Sequence, residues 1–462
     1  MYLATILPMF LDKIKELTNG QKTANNLSLF GLAFPIFIDI FLKQISLMIN
    51  VFMVSKVSVL LVGAMSAGNQ IFNLFVTVFS FLSIGCAVVV AQSLGAKNLN
   101  LALRAIHISL TFNAFLGFCS TLFIYFFTAW VLRALNVPDD VFGDAYEYLH
   151  LMSLALFLAG IGIVVASILR VKNMAGHIVI VSLATNFIVI VGNYFALGFD
   201  GGENYGLRGV AIVAIIAHFS ALCALLWIMV HKAKVHIHLG LFVNFTWQIL
   251  IKILKVGLPS AGENLLWIGQ YMVAFSFVGL LGSASLSVQS VYFQISTFVF
   301  LICTAISLAC EVIVGHLVGA KKFDEAYQKA FYALKIGVST TWVIVLLFWI
   351  FKENIMDLFE LDESIKSIMR PLFTLSLVLE SGRGFNIIMV NSLRASGDAR
   401  FPFIVGAIFM WGVSLPVGYY LGIVCGYGIV GIWAGFCCDE WGRAILNTLR
   451  WKSGKWKNKA LV

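Results

Sequence analysis

Six charged side chains sit inside stretches otherwise apolar enough to cross a membrane: Asp39, Lys43, Glu263, Glu311, Glu380 and Arg383. A charge at the centre of a span costs at least about 2.5–3.5 kcal/mol on insertion scales, so each marks a candidate functional position. A carboxyl group held in low dielectric can exchange a proton or accept a cation near neutral pH. Glu263 and Glu311 have no basic residue one turn away within their apolar stretches, which makes them candidates for ion coupling, with H⁺ or Na⁺ as the ion. Asp39 has Lys43 four residues on, and Glu380 has Arg383 three residues on, so each of these acids either couples or is neutralised locally. Asp439 or Glu440 can pair with Arg443 in the same way near an interface.

Other polar residues share these stretches. Asn50 follows Asp39 by eleven residues, which returns to within about 20° of the same helix face. Asp39, Lys43 and Asn50 therefore form one stripe. Gln70, Gln294, Asn186, Asn193, Trp267 and Arg383 complete the candidates for lining a cavity, the asparagines serving either there or as interhelical ties. His218 is a weaker candidate for relaying a proton. The sequence contains no metal-ligand spacing, nucleophile elbow or dinucleotide fingerprint, and the Gly-Ala-Lys turns at Gly95 and Gly319 lack the rest of a phosphate loop. No cofactor and no enzymatic activity are expected.

The elements that must position these residues follow from composition. With 60% hydrophobic and 11% charged residues, the chain lies far from the roughly 25% charged residues of soluble proteins. Its apolar stretches reach the length of about 20 residues needed to cross the hydrocarbon core. Unbroken apolar runs exclude a barrel, so the expected fold is an all-α polytopic membrane protein with twelve spans, from 27–53 to 427–448. The eight cysteines lie in apolar segments and read as small buried hydrophobes. Leu3, Ile6, Leu7, Phe10, Leu11, Ile14 and Leu17 give the N-terminus a helical stripe suited to lying in the interface. With the N-terminus inside, 22 Lys and Arg fall on the cytoplasmic side and 6 outside, which places both termini in the cytoplasm. The net charge of +9 belongs to those loops and requires no nucleic-acid partner. Membrane lipid and a small-molecule substrate are the expected partners, with the chain acting as a monomer.

A repeat organises the whole. At a constant offset of 224 residues, Pro35 meets Pro259, Asp39 meets Glu263, Gln70 meets Gln294, Gly95 meets Gly319 and Arg170 meets Arg394. After a two-residue slip, Tyr205 meets Tyr427. Six spans per copy give both halves the same orientation and imply an axis along the membrane normal. The expected organisation is an N-lobe over 1–231, a cytoplasmic joint over 232–248 that holds His236 and His238, and a C-lobe over 249–462. Two such lobes imply alternating access, with substrate bound near the midplane.

These features resemble the multidrug and toxic compound extrusion (MATE) family of cation-coupled antiporters over nearly the whole chain. The most specific parts are VGAMSAGNQI, VVVAQSLGAKN, its copy VIVGHLVGAKK, NSLRASGDARFP and YGIVGIWAG. The resemblance implies V-shaped lobes in a bacterial-type inner membrane, with H⁺ or Na⁺ entry driving export of amphipathic, often cationic, compounds by a rocker switch. The acids, however, are relocated. The family's aspartate on the first helix falls here at Asn50, its glutamate on the seventh at Trp267 and its occasional aspartate on the tenth at Arg383. Two alternatives share the architecture: export of an anionic metabolite, because Lys43 and Arg383 could face the cleft, and flipping of a lipid-linked oligosaccharide.

Overall fold

The computed structural model describes residues 28–135, 137–199, 201–235, 246–359 and 361–462. The N-terminal stripe and both joint histidines lie outside the described residues. The first copy of the repeat contributes α1 (Leu29–Val57), α2 (Val59–Gly95), α3 (Leu99–Ala134), α4 (Asp139–Val171), α5 (Ala175–Ala196) and α6 (Gly206–Trp227), which continues through a π turn to Lys232. The second contributes α7 (Trp247–Gly279), α8 (Ser283–Gly319), α9 (Phe323–Ile350), α10 (Glu363–Ser396), α11 (Arg400–Val424) and α12 (Gly428–Lys452). A short helix, Lys352–Leu358, joins α9 to α10, and a 3-10 turn, Lys455–Lys459, follows α12.

Ten of these helices are long and apolar enough to cross a membrane. The exceptions are α7 and α12, which carry Lys252, Lys255 and Glu263 in one case and Asp439, Glu440 and Arg443 in the other. Four of these residues, Glu263, Asp439, Glu440 and Arg443, build the site described below.

The helix ends repeat as faithfully as the sequence does. Lys97 and its counterpart Lys321 both take left-handed backbone, with φ of 58° and 59°. Asn173 and Gly397 do so after α4 and α10, at φ of 60° and 96°. There the amides of Met174 and Asp398 reach back to the carbonyls of Leu169 and Leu393 at 2.8 and 2.9 Å, closing each helix by the same left-handed turn. Pro35 and Pro259 lie inside α1 and α7 and remove one backbone donor each, a single turn before Asp39 and Glu263. The copies diverge at α11, which is interrupted by π turns at Ile408–Ser414 and Tyr420–Val424, where α5 is regular.

The chain forms two compact units. The first comprises Phe34–Val90 and Asn98–Gly257; the second comprises Ala91–Lys97 and Leu258–Val462, with the described residues before Phe34. The first unit packs Phe79, Tyr148, Leu149, Met152 and Leu156 in its core, with the Tyr148 hydroxyl donating to Asn69 Oδ1 at 2.9 Å. The second packs Tyr292, Phe373, Trp433 and Phe436, with the Trp433 indole donating to Gln289 Oε1 at 2.7 Å. Each large ring thus buries its apolar body and satisfies its polar atom.

The last turn of α2 is built into the second unit. It crosses the last turn of α8 so closely that a Cβ at Gly95 would strike the His316 carbonyl, and one at Gly319 would strike the Gln92 carbonyl. Gln92 and His316 are themselves repeat counterparts, so the crossing is reciprocal. The Gln92 side chain donates to Ala395 O at 2.7 Å and accepts from the Leu461 amide at 2.8 Å. Trp451 and Trp456 stack at 4.0 Å beside this corner.

Candidate functional site

Each unit contains a buried acid one turn beyond its helix proline, and each acid is bonded to an arginine. In the first unit, Asp39 on α1 accepts from Arg170 Nη2 on α4 at 3.4 Å. In the second, Glu263 on α7 accepts from Arg394 Nη2 on α10 at 2.8 Å. Arg170 and Arg394 end their helices at equivalent places, so the repeat reproduces the pair as well as the acid. Glu263 has no basic residue one turn away on its own helix, and its partner comes from another helix. Sequence spacing within one helix could not reveal a partner 131 residues away. The usable signal was the shared offset of the two acids and the two arginines.

Around this common pair the units differ. Asp39 Oδ2 also accepts from Lys43 Nζ at 2.9 Å, as their spacing predicts. Its other oxygen accepts from the Ser182 hydroxyl on α5. Asn186 Nδ2 donates to Leu42 O at 3.0 Å, and Asn193 Nδ2 donates to Asn50 Oδ1 at 2.8 Å. Asn193 is buried and ties α5 to α1, while Asn50 and Asn186 are half-buried. His218 Nδ1 sits 2.8 Å from Ala214 O and its ring meets Phe72 edge-on, a packed arrangement.

The second unit extends the pair into a chain of charges. Glu263 Oε1 lies 3.6 Å from Arg443 Nη1 on α12. Arg443 grips Asp439 with two bonds, at 2.7 and 2.9 Å, and meets Glu440 at 3.2 Å. Glu440 Oε1 lies 3.5 Å from Arg383 Nε on α10, and Arg383 Nη1 donates to Glu380 Oε1 at 2.9 Å. Ser296 on α8 donates to the same Glu380 oxygen at 2.6 Å. Amides close the sides: Gln270 donates to Asp439 at 3.3 Å, and Asn386 donates to Glu440 at 2.9 Å. The carboxylates of this network are buried and Arg383 is only 11% exposed, so its charges interact in a medium that screens them weakly. Asp439, Glu440 and Arg443, expected near the interface, are members of it. Glu311 is half-buried on α8, roughly 22 Å along the helix from Ser296.

Both units also expose a matched polar stripe. On α2, Ser66, Gln70 and Asn73 are exposed; on α8, their counterparts Ser290 and Gln294 are exposed and Thr297 is half-buried. Side chains spaced by four and three residues share one helix face. Amides and hydroxyls exposed on membrane helices belong beside water rather than lipid. Trp267 lines an apolar groove of about 380 Å³ with Ile268, Tyr271, Met272, Phe275 and Phe293.

Comparison with known proteins agrees with this anatomy. A sequence profile of the MatE family matches twice, over residues 35–195 and 259–420, one match per copy of the repeat. The chain is 32% identical over 440 residues to the "uncharacterized transporter YisQ" of Bacillus subtilis, covering 94% of this chain and 96% of that protein. It is 25% identical to a "probable multidrug resistance protein NorM" of Thermotoga maritima, covering 85% of each. Among solved structures, "MATE in the bent conformation" superposes with a TM-score of 0.85 at 18% identity, covering 96% of this chain and 97% of that one. An integral membrane protein with this helical repeat and these relatives is a transporter of small molecules, and the chain belongs to the MatE family.

Proposed function

We propose that the protein exports amphipathic compounds in exchange for an inward-moving H⁺ or Na⁺, by alternating access, and that the charge chain of the second unit takes up the ion. The observation that carries this reading is a count. The network holds four carboxylates, Glu263, Glu380, Asp439 and Glu440, against three guanidiniums, Arg383, Arg394 and Arg443. One negative charge is left over, and one proton or one monovalent cation neutralises it. Glu380 is the member best placed to receive it, because its Oε2 is buried without a hydrogen-bond partner among the described residues. Glu263 is a poorer receiver, since losing its charge would leave two arginines facing each other.

Neutralising the network changes the pairing of Arg383 and Glu440, which link α10 to α12, and so biases a two-state movement of these helices. The protein is oriented with both termini in the cytoplasm of a bacterial-type inner membrane and acts as a single chain. The name carried by the NorM relatives supports amphipathic compounds as the cargo. Transport in proteoliposomes under imposed pH or Na⁺ gradients tests the proposal. Glu380→Gln is expected to cut gradient-driven efflux at least about ten-fold while leaving gradient-free substrate exchange within about two-fold. Driven efflux at the wild-type rate in this variant would refute the assignment.

A further inference from the structure

The first unit offers a positive charge, not a negative one, to the water beside it. Lys43 stands at the midpoint of α1, fourteen residues from either end. Ser182, which donates to Asp39, and Asn186, which donates to Leu42 O, lie in the interior of α5, so Lys43 sits within the span and not at its end. Yet its side chain is 57% exposed. An exposed ammonium at that depth belongs in an aqueous cavity.

The neighbouring acid is spent. Asp39 is 2% exposed at its side chain, and its two oxygens accept from Lys43, Arg170 and Ser182. One carboxylate against two bases leaves the cluster with a surplus positive charge. Lys43 uses one of its three N–H donors on Asp39 and has the others to offer. One turn further along the same face, Leu47 is 47% exposed, so the charge adjoins an apolar surface. In the second unit, the network's carboxylates are no more accessible: none exceeds 7% exposure. A cationic compound would find no carboxylate to meet in either cluster. At the counterparts of Lys43, Leu47 and Met48, the second unit places Trp267, Tyr271 and Met272, which line the apolar groove.

We propose that Lys43 binds the acid group of an amphipathic organic anion, and that such anions rather than organic cations are the cargo. The inference rests on the export reading above for its physiological meaning, but the binding step stands apart from ion coupling. Asp39 holds Lys43 in place, and Leu47 receives the adjoining hydrocarbon.

The test is equilibrium binding to the full chain in phosphatidylcholine nanodiscs, with no gradient. Carboxyfluorescein serves as the anionic probe and ethidium as the cationic one, both followed by fluorescence anisotropy. Carboxyfluorescein is expected to bind at least about ten-fold more tightly than ethidium, the size of a charge-assisted bond. Lys43→Gln should erase that preference, and Lys43→Arg should keep it within about three-fold. Asp39 retains Arg170 and Ser182 in both variants, and the wild-type preference needs no variant at all. Tighter binding of ethidium, or an unchanged affinity in Lys43→Gln, would overturn the proposal. So would carboxyfluorescein binding nowhere while phosphatidylglycerol associates with the protein through Lys43, which would make the ligand a lipid phosphate. Driven efflux at the wild-type rate in Glu380→Gln, with the carboxyfluorescein preference intact and lost in Lys43→Gln, would refute the ion-coupling reading and leave this site standing.

Discussion

Asp39 and Glu263 occupy one place in two copies of a repeat, and each is bonded to the arginine 131 residues further along. What surrounds the pair has diverged. The first unit adds Lys43 and a serine hydroxyl, and finishes with a surplus positive charge partly open to water. The second adds two more arginines and three more carboxylates, and finishes with a buried surplus negative charge. The difference separates two roles. A pair retained in both copies ties the first helix of a unit to the fourth; the additions give each unit its own chemistry.

The largest expected effect comes from breaking the shared pair. Arg394→Ala leaves Glu263 buried with only the longer contact to Arg443, so a loss of about 3–5 kcal/mol is expected, the cost of stranding a buried charge. Arg170→Ala should cost less than half as much, because Asp39 keeps Lys43 and Ser182. Thermal unfolding of the two purified variants, followed by size-exclusion fluorescence, measures both. Equal losses would mean that the surroundings do not matter and would collapse the comparison.

A subtler change tests the serine. Ser182→Ala removes one donor from Asp39 and should destabilise the protein by about 1.5–3 kcal/mol, the range for a hydrogen bond to a charged group. Its counterpart in the second unit is Gly406, where a Cβ would lie 3.4 Å from Glu263 Cγ, an ordinary contact. Gly406→Ser copies the first unit's hydroxyl into the second and is expected to shift stability by less than about 1 kcal/mol. A larger loss would show that α11, with its π turns, cannot accept what α5 accepts.

The repeat, the paired offset of Asp39 and Glu263 and the local pairs of Lys43, Arg383 and Arg443 were all legible in the sequence, because periodicity and helical spacing are local properties. Arg170 and Arg394 were not legible as partners. They end helices, where the positive-inside rule counts them as flanking charges, and only the fold brings them back onto α1 and α7. Asp439, Glu440 and Arg443 look interfacial in the sequence for the same reason: spacing shows that they can pair with one another, but not that Arg383 and Glu263 approach from other helices.

The reciprocal crossing of α2 and α8 bears on how the protein is made. Residues 91–97 emerge from the ribosome long before α8, yet they belong to the compact unit that α8 helps to form. Contacts of such sequence separation form late. Until Gly319 has been inserted, the end of α2 has nothing to cross, and the amide of Gln92 has neither Ala395 nor Leu461 to hold. A chain cut between the copies would leave the second half without the turn that meets its own C-terminal corner. The halves look like duplicates, but neither is self-sufficient, and coexpressed fragments should assemble only if the first one carries its α2 intact through Lys97.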